Sequence, residues 1–86
     1  MAKLFSLSII TPDATLYEGK ISSLVAPSTL GYLGVLADHA PLIATLAAGR
    51  ITLRDDSDKR KVFDSKGGGF LEVMNNRVTI LLSSAH

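Results

Sequence analysis

The sequence predicts a single all-β domain folded as a sandwich, and three observations predict it. Apolar and polar residues alternate at period two along most of the chain. Clusters of Pro, Gly, Asn and Asp interrupt that alternation at intervals of roughly ten residues, as turns between short strands do. No 3.6-residue period lasts more than about two turns, which leaves no room for a substantial helix. The chain has 86 residues, enough for one domain spanning 1–86 and one hydrophobic core. At this size folding hides only about 60–65% of the unfolded surface, so stability is modest unless a partner adds to it.

The first strand is the run Leu4–Ile10, with Phe5, Leu7 and Ile9 on one face and Leu4, Ser6, Ser8 and Ile10 on the other. Thr11-Pro12-Asp13 is a turn, because proline fixes its own φ and pushes its predecessor to extended geometry. The second strand is expected from Thr15 to Ala26, with Ile21 and Val25 alternating with Ser22 and Leu24 and a bulge at Gly19. Pro27-Ser28-Thr29 is read as its end, followed by a short strand from Tyr32 to Leu36. Leu42–Leu46 is apolar and short, consistent with either a strand or a helical turn. Arg50–Arg54 is a strand with Ile51 and Leu53 inward, and Asp55–Asp58 is a solvated hairpin turn before Lys59–Ser65. The glycines 67–69 precede a strand from Phe70 to Met74. Asn75-Asn76 is a hairpin signal, since asparagine tolerates positive φ, and Val78, Ile80 and Leu82 share one face of the last strand.

Composition narrows the function classes. Nine basic against eight acidic side chains leave a net charge of +1, which offers no electrostatic footing for nucleic acid. Cysteine is absent, so disulfides and thiolate metal sites are excluded. The N-terminus has neither the apolar region nor the cleavage pattern of a signal peptide. No window approaches ~18 consecutive apolar residues, so no segment reads as a membrane-spanning helix. Hydrophobic content of 47% is high for so small a soluble chain, which points to apolar surface left over for another subunit.

The candidate chemistry is thin. His39 beside Asp38 suggests an acid–base pair, but neighbours in an extended chain point apart and a base needs an oriented partner within ~3 Å. The other histidine, His86, is remote in sequence, and no spacing gathers three metal ligands. The acidic turn Asp55, Asp56 and Asp58 lacks the glycine and the glutamate of a calcium loop. Gly19-Lys20 fails as a phosphate loop, with Ala14 and Ile21 at positions that require Gly and Ser or Thr. The triple glycine joins two strand patterns rather than opening a helix. The reading is therefore no catalytic residue, no cofactor and no metal. What remains is surface: Tyr32, Leu33, Val35 and Leu36 lead into Asp38–Leu42, a loop stiffened by glycine and proline that can bind with little ordering cost. Tyr32 and His39 read as contact residues, whereas Leu33 and Leu36 are equally consistent with closing the sandwich.

Residues 31–42, GYLGVLADHAPL, carry a sharper signal. They resemble the LG-[IV]-L-x-x-HAPL signature of the epsilon-subunit family of F-type ATP synthases. Thr11-Pro12 with Tyr17-Glu18-Gly19 resembles that family's opening pattern, and KGGGFLEVMNNRVTILL, residues 66–82, resembles its close. The resemblance implies a flattened β-sandwich of about ten short strands. It implies a non-catalytic rotor subunit at the foot of the central stalk, bound to the gamma subunit and the c-ring and coupling proton flow to ATP synthesis. It also implies a peripheral position on the cytoplasmic face of the bacterial inner membrane, or on the stromal side of a plastid thylakoid, with no small-molecule substrate. Carried over by position, the partner-interface candidates are Thr11, Tyr32, His39 and Leu42, and many relatives have glutamate where Tyr32 stands. Typical members continue into a C-terminal helical hairpin that inhibits hydrolysis. This sequence runs only to His86, so hairpin-type inhibition is not expected of it. The competing expectation is an independent small β-sandwich enzyme or ligand-binding module that uses Tyr32, Asp38 and His39.

Overall fold

The computed structural model describes residues 3–83. They form eight strands: β1 (Phe5–Ile10), β2 (Thr15–Ser28), β3 (Gly31–Val35), β4 (Leu42–Thr45), β5 (Ala48–Asp55), β6 (Arg60–Lys66), β7 (Gly69–Met74) and β8 (Arg77–Leu82). The strands are joined edge to edge in the order β4-β7-β8-β1-β2-β5-β6, with β3 also on β2. The run Leu42–Leu46 resolves as a strand over Leu42–Thr45, with Leu46 bridging separately to Ser28. The count is eight where the resemblance implied about ten, because β2 serves both layers of the sandwich as one 14-residue strand. Its first half pairs with β1, and its second half pairs with β3 and β5.

The bend in β2 lies where its register against β5 shifts, between Ile21 and Ser23. A bulge adds one residue and reverses which side chains face inward. Ile21 and Leu24 are therefore both buried, whereas Val25 turns outward at 42% exposure. The expected pairing of Ile21 with Val25 on one face, and the bulge at Gly19, are corrected accordingly: Gly19 sits in register opposite Leu7. Pro27 does not end the strand either. It lies just past Val25, the last residue paired to β5, so its missing N–H costs that ladder nothing.

The inward faces meet in one core. Phe5, Leu7 and Ile9 of β1 pack with Ile51 and Leu53 of β5, Leu71 and Val73 of β7, and Val78 and Ile80 of β8, each at most 1% exposed. Burying one such side chain stabilises by roughly 1.5–3 kcal/mol. Tyr17 on β2 reaches Phe63 on β6, ring centroids 5.9 Å apart and nearly edge-on, and the Lys61 ammonium lies 5.4 Å from the same tyrosine ring. Burial first, then the charges of Asp55 and Asp56, raise the pKa of the Tyr17 phenol. The first and last strands are parallel neighbours, Ser6 opposite Arg77 through Ile10 opposite Leu81, a non-local pairing of the kind that slows folding.

The corner between β4 and β5 closes the sandwich. Leu46 N–H donates to the Gly69 carbonyl (3.0 Å), and Ala47 N–H donates to the Pro27 carbonyl (2.9 Å). Successive amides thus bond β7 and the end of β2, and Leu46 is buried between them. Gly67, Gly68 and Gly69 all have positive φ (91°, 68° and 121°). A Cβ on Gly69 would collide with the Leu81 carbonyl oxygen, so that position requires glycine. The buried Ser65 hydroxyl ties the same corner, donating to the Ala47 carbonyl (2.8 Å) and accepting from Gly67 N–H (3.2 Å).

Candidate partner interface

Thr11 is a turn residue first. Its side chain is almost fully buried, and its hydroxyl accepts from Ala14 N–H (3.0 Å) and Asp13 N–H (3.3 Å) while facing the Ala14 carbonyl (3.2 Å). These contacts satisfy the polar groups of the β1–β2 turn and leave the hydroxyl nothing for a partner.

Tyr32 is 64% exposed yet not free. Its hydroxyl accepts from Arg50 N–H (3.2 Å), so the ring crosses the edge of β5. The crossing runs over Gly49, at φ 153°, where a Cβ would stand 2.6 Å from the phenolic oxygen and 2.9 Å from Pro27 Cβ. A glycine below and a hydrogen bond at the far end hold an exposed aromatic in one orientation, an arrangement that lowers the entropy cost of any contact it makes.

The preceding turn adds a residue that sequence reasoning missed. Ser28 Oγ donates to the Gly31 carbonyl (2.6 Å) and accepts from Leu30 N–H (3.2 Å). This tight turn pushes Leu30 out to 99% exposure, two residues from Tyr32. An apolar side chain after Pro-Ser-Thr and before Gly was the available signal, since turns are ordinarily polar.

The β3–β4 connection carries Asp38 and His39. Asp38 adopts φ 65°, its N–H donates to Asn76 Oδ1 (2.6 Å), and its carboxylate pairs with the Lys3 ammonium. His39 is half-buried and its Nδ1–H donates to the Ala40 carbonyl (2.7 Å), which leaves Nε2 for other contacts. Leu42 is half-buried against the core opposite Val73. Leu33 also packs on the core, whereas Leu36 is 64% exposed. Tyr32, Asp38 and His39 thus engage three different partners and do not converge on a common point, as the acid–base reading would need. Among the described residues no group of three or more His, Asp or Glu side chains is placed to hold a metal ion, and no helix is long and apolar enough to cross a membrane.

The acidic turn spends its carboxylate internally. Asp55 Oδ1 accepts from Ser57 N–H (2.8 Å) and Lys59 N–H (2.9 Å). The Lys59 amide is the main reason the Asp55 carboxyl is held below its ordinary range.

One larger apolar surface emerges from the register alone. On the outer face of β7, β8 and β1, Phe70 stands opposite Leu81 and Leu81 opposite Ile10, with Ile43 on β4 one pair along. Ile43, Phe70 and Leu81 are 70%, 52% and 47% exposed. Adjacent strands put them side by side, which no single strand pattern reveals.

With this geometry in place, comparison with known proteins is decisive for the family. The family model described as the β-sandwich domain of the ATP synthase delta/epsilon chain matches residues 4–86. The ATP synthase epsilon chain of Leptospira borgpetersenii is 41% identical over 80 residues, 93% of this chain and 61% of that one. The epsilon chain of Caldanaerobacter subterraneus is 40% identical over 86 residues, 99% of this chain and 61% of its own. This chain thus spans about three-fifths of the length of the curated relatives it matches. Among solved structures, a chain of the Euglena gracilis mitochondrial ATP synthase, in a complex of OSCP, F1 and c-ring, superposes with TM-score 0.88 at 22% identity, covering 96% of this chain and 52% of that one. A chain of the Tetrahymena thermophila mitochondrial ATP synthase central stalk and c-ring does so with TM-score 0.77 at 17% identity, covering 96% and 66%. The match of the delta/epsilon sandwich over nearly every residue, with relatives 40% identical along the same span, means that this chain belongs to the ATP synthase delta/epsilon family.

Proposed function

We propose that this chain is the β-sandwich of a non-catalytic rotor subunit of a proton-translocating F-type ATP synthase, bound to the gamma subunit and the c-ring and coupling ring rotation to the stalk. It works peripherally, on the cytoplasmic face of a bacterial inner membrane. The observation that carries this reading is the match to epsilon chains along 93–99% of this sequence, together with a surface built for contact rather than chemistry. A part that transmits torque must not slip. The closed corner at Leu46 and Gly69 supplies stiffness, because close-packed interiors resist deformation. Exposed Leu30 and Tyr32 and half-buried His39 supply the contacts, with Leu42 seating the loop behind them. Thr11 belongs to the scaffold, where its hydroxyl fixes the β1–β2 turn.

The reading is tested by sedimentation and coupling. The chain should pellet with membranes carrying the synthase and leave them when the soluble head is stripped. Alanine at both Tyr32 and His39 should lower proton-driven ATP synthesis while leaving the domain folded. Turnover by the isolated chain, or a complete synthase in which it never contacts the rotor, would sink the proposal.

A further inference from the structure

We infer that Asn76 is a positioning residue for the docking loop: from the β7–β8 turn it latches Asp38 and so presets His39 for a partner. This rests on the rotor reading above, and it concerns a residue outside the loop's own sequence. Asn76 is 38 positions from Asp38 in the chain, yet its Oδ1 accepts the Asp38 N–H at 2.6 Å. Its Nδ2 donates to the Leu4 carbonyl (3.4 Å), and its own carbonyl accepts from Ser6 N–H (3.2 Å). One asparagine therefore joins the β7–β8 turn, the start of β1 and the β3–β4 loop.

The latch acts on a backbone that needs holding: Asp38 occupies the left-handed region, which aspartate tolerates better than most residues but still at a cost. Asn76 itself sits at φ 61°, the second position of a two-residue hairpin turn after Asn75 at 50°. The Lys3–Asp38 ion pair adds a second strap, but both side chains are more than 60% exposed and such pairs contribute little. The amide is the main tie. The residue it holds directly precedes His39, so releasing it frees the backbone that orients the imidazole. A loop already held in its bound shape binds with less loss of entropy than one that must be ordered on contact.

The test uses two variants and two readouts. Asn76→Gly keeps the positive-φ turn and deletes the amide, whereas Asn76→Asp keeps an acceptor oxygen at the same place. Amide hydrogen exchange of the chain in solution reads the latch, and rebinding to synthase-bearing membranes depleted of this subunit reads docking. In Asn76→Gly the Asp38 amide should exchange about five- to tenfold faster, the consequence of losing one hydrogen bond, beyond any change at core amides such as Leu71 and Ile80. Rebinding should weaken about threefold or more, as pre-organisation is lost. Asn76→Asp should restore both. Equal acceleration of the Asp38 and core amides would make Asn76 merely structural and overturn the inference. So would a freed Asp38 amide with undiminished rebinding. A parent chain that never rebinds would overturn the rotor reading and the docking role together, and the exchange readout would still report on the latch by itself.

Discussion

The β4–β5 corner and the β3–β4 loop flank the same short strand, yet they are held by opposite means. At the corner, backbone bonds backbone: Leu46 and Ala47 donate to Gly69 and Pro27, three glycines take positive φ, and Gly69 has no room for a side chain. In the loop, side chains hold the backbone, through Asn76 on Asp38 and Lys3 on the same residue. The first kind of restraint is buried and intolerant, and the second is exposed and replaceable one contact at a time. The difference teaches where each property resides. Rigidity comes from the corner, and the proposed recognition draws on the loop and the neighbouring β2–β3 turn.

The most severe way to break this contrast is Gly69→Ala. A Cβ against the Leu81 carbonyl at φ 121° should cost about 3 kcal/mol or more in urea unfolding, by forced backbone strain and displacement. A loss under ~1 kcal/mol would mean that the corner flexes and the contrast fails. Leu46→Ala should follow at roughly 2–4 kcal/mol, because the corner has backbone bonds on both sides and cannot collapse into the space. Thr11→Val keeps the shape and removes the turn hydroxyl. A loss of about 1–2 kcal/mol in melting experiments, with unchanged membrane rebinding, would sharpen the distinction between structural and contact residues.

A smaller effect is expected from Asp55, whose carboxyl is held below its ordinary value chiefly by the Lys59 amide. A carboxyl with a depressed folded pKa adds stability above its unfolded pKa, about 4, and loses it as pH falls through the folded value. The parent should therefore lose stability on acidification below about pH 4 by more than Asp55→Asn does. Parallel acid titrations of the two would contradict this. The least effect on stability belongs to Leu30→Ala and His39→Ala, each within ~0.5 kcal/mol of the parent, while partner binding weakens. A large unfolding penalty at either would make it part of the scaffold and erase the contrast.

The strands of this fold were legible wherever local chemistry agreed with tertiary packing. Phe5, Leu7 and Ile9, then Val78, Ile80 and Leu82, read as inward faces and are buried. Asn75-Asn76 read as a hairpin and has both residues at positive φ. The reading failed at β2, where Pro27 looked like an end and Val25 like core. There the deciding fact is a register shift against β5, a strand about thirty residues away in sequence, and nothing in the local pattern encodes it. The site divided in the same way. Tyr32 stood out as a large aromatic on a stiffened turn, but that its hydroxyl rests on Arg50 over Gly49 required the folded chain.

By itself the sequence determined the class of fold, the absence of thiol chemistry and the segment proposed to meet a partner. Alternation, composition and turn residues act over a few positions and need no distant contact. Only the tertiary structure decided that Thr11 is consumed by its own turn, that Leu30 is thrust into solvent and that Phe70 and Leu81 stand side by side. Only folding, too, brings Asn76 to hold Asp38. Each of these depends on register between strands remote in the chain, and register is a property of pairs, set when two edges meet.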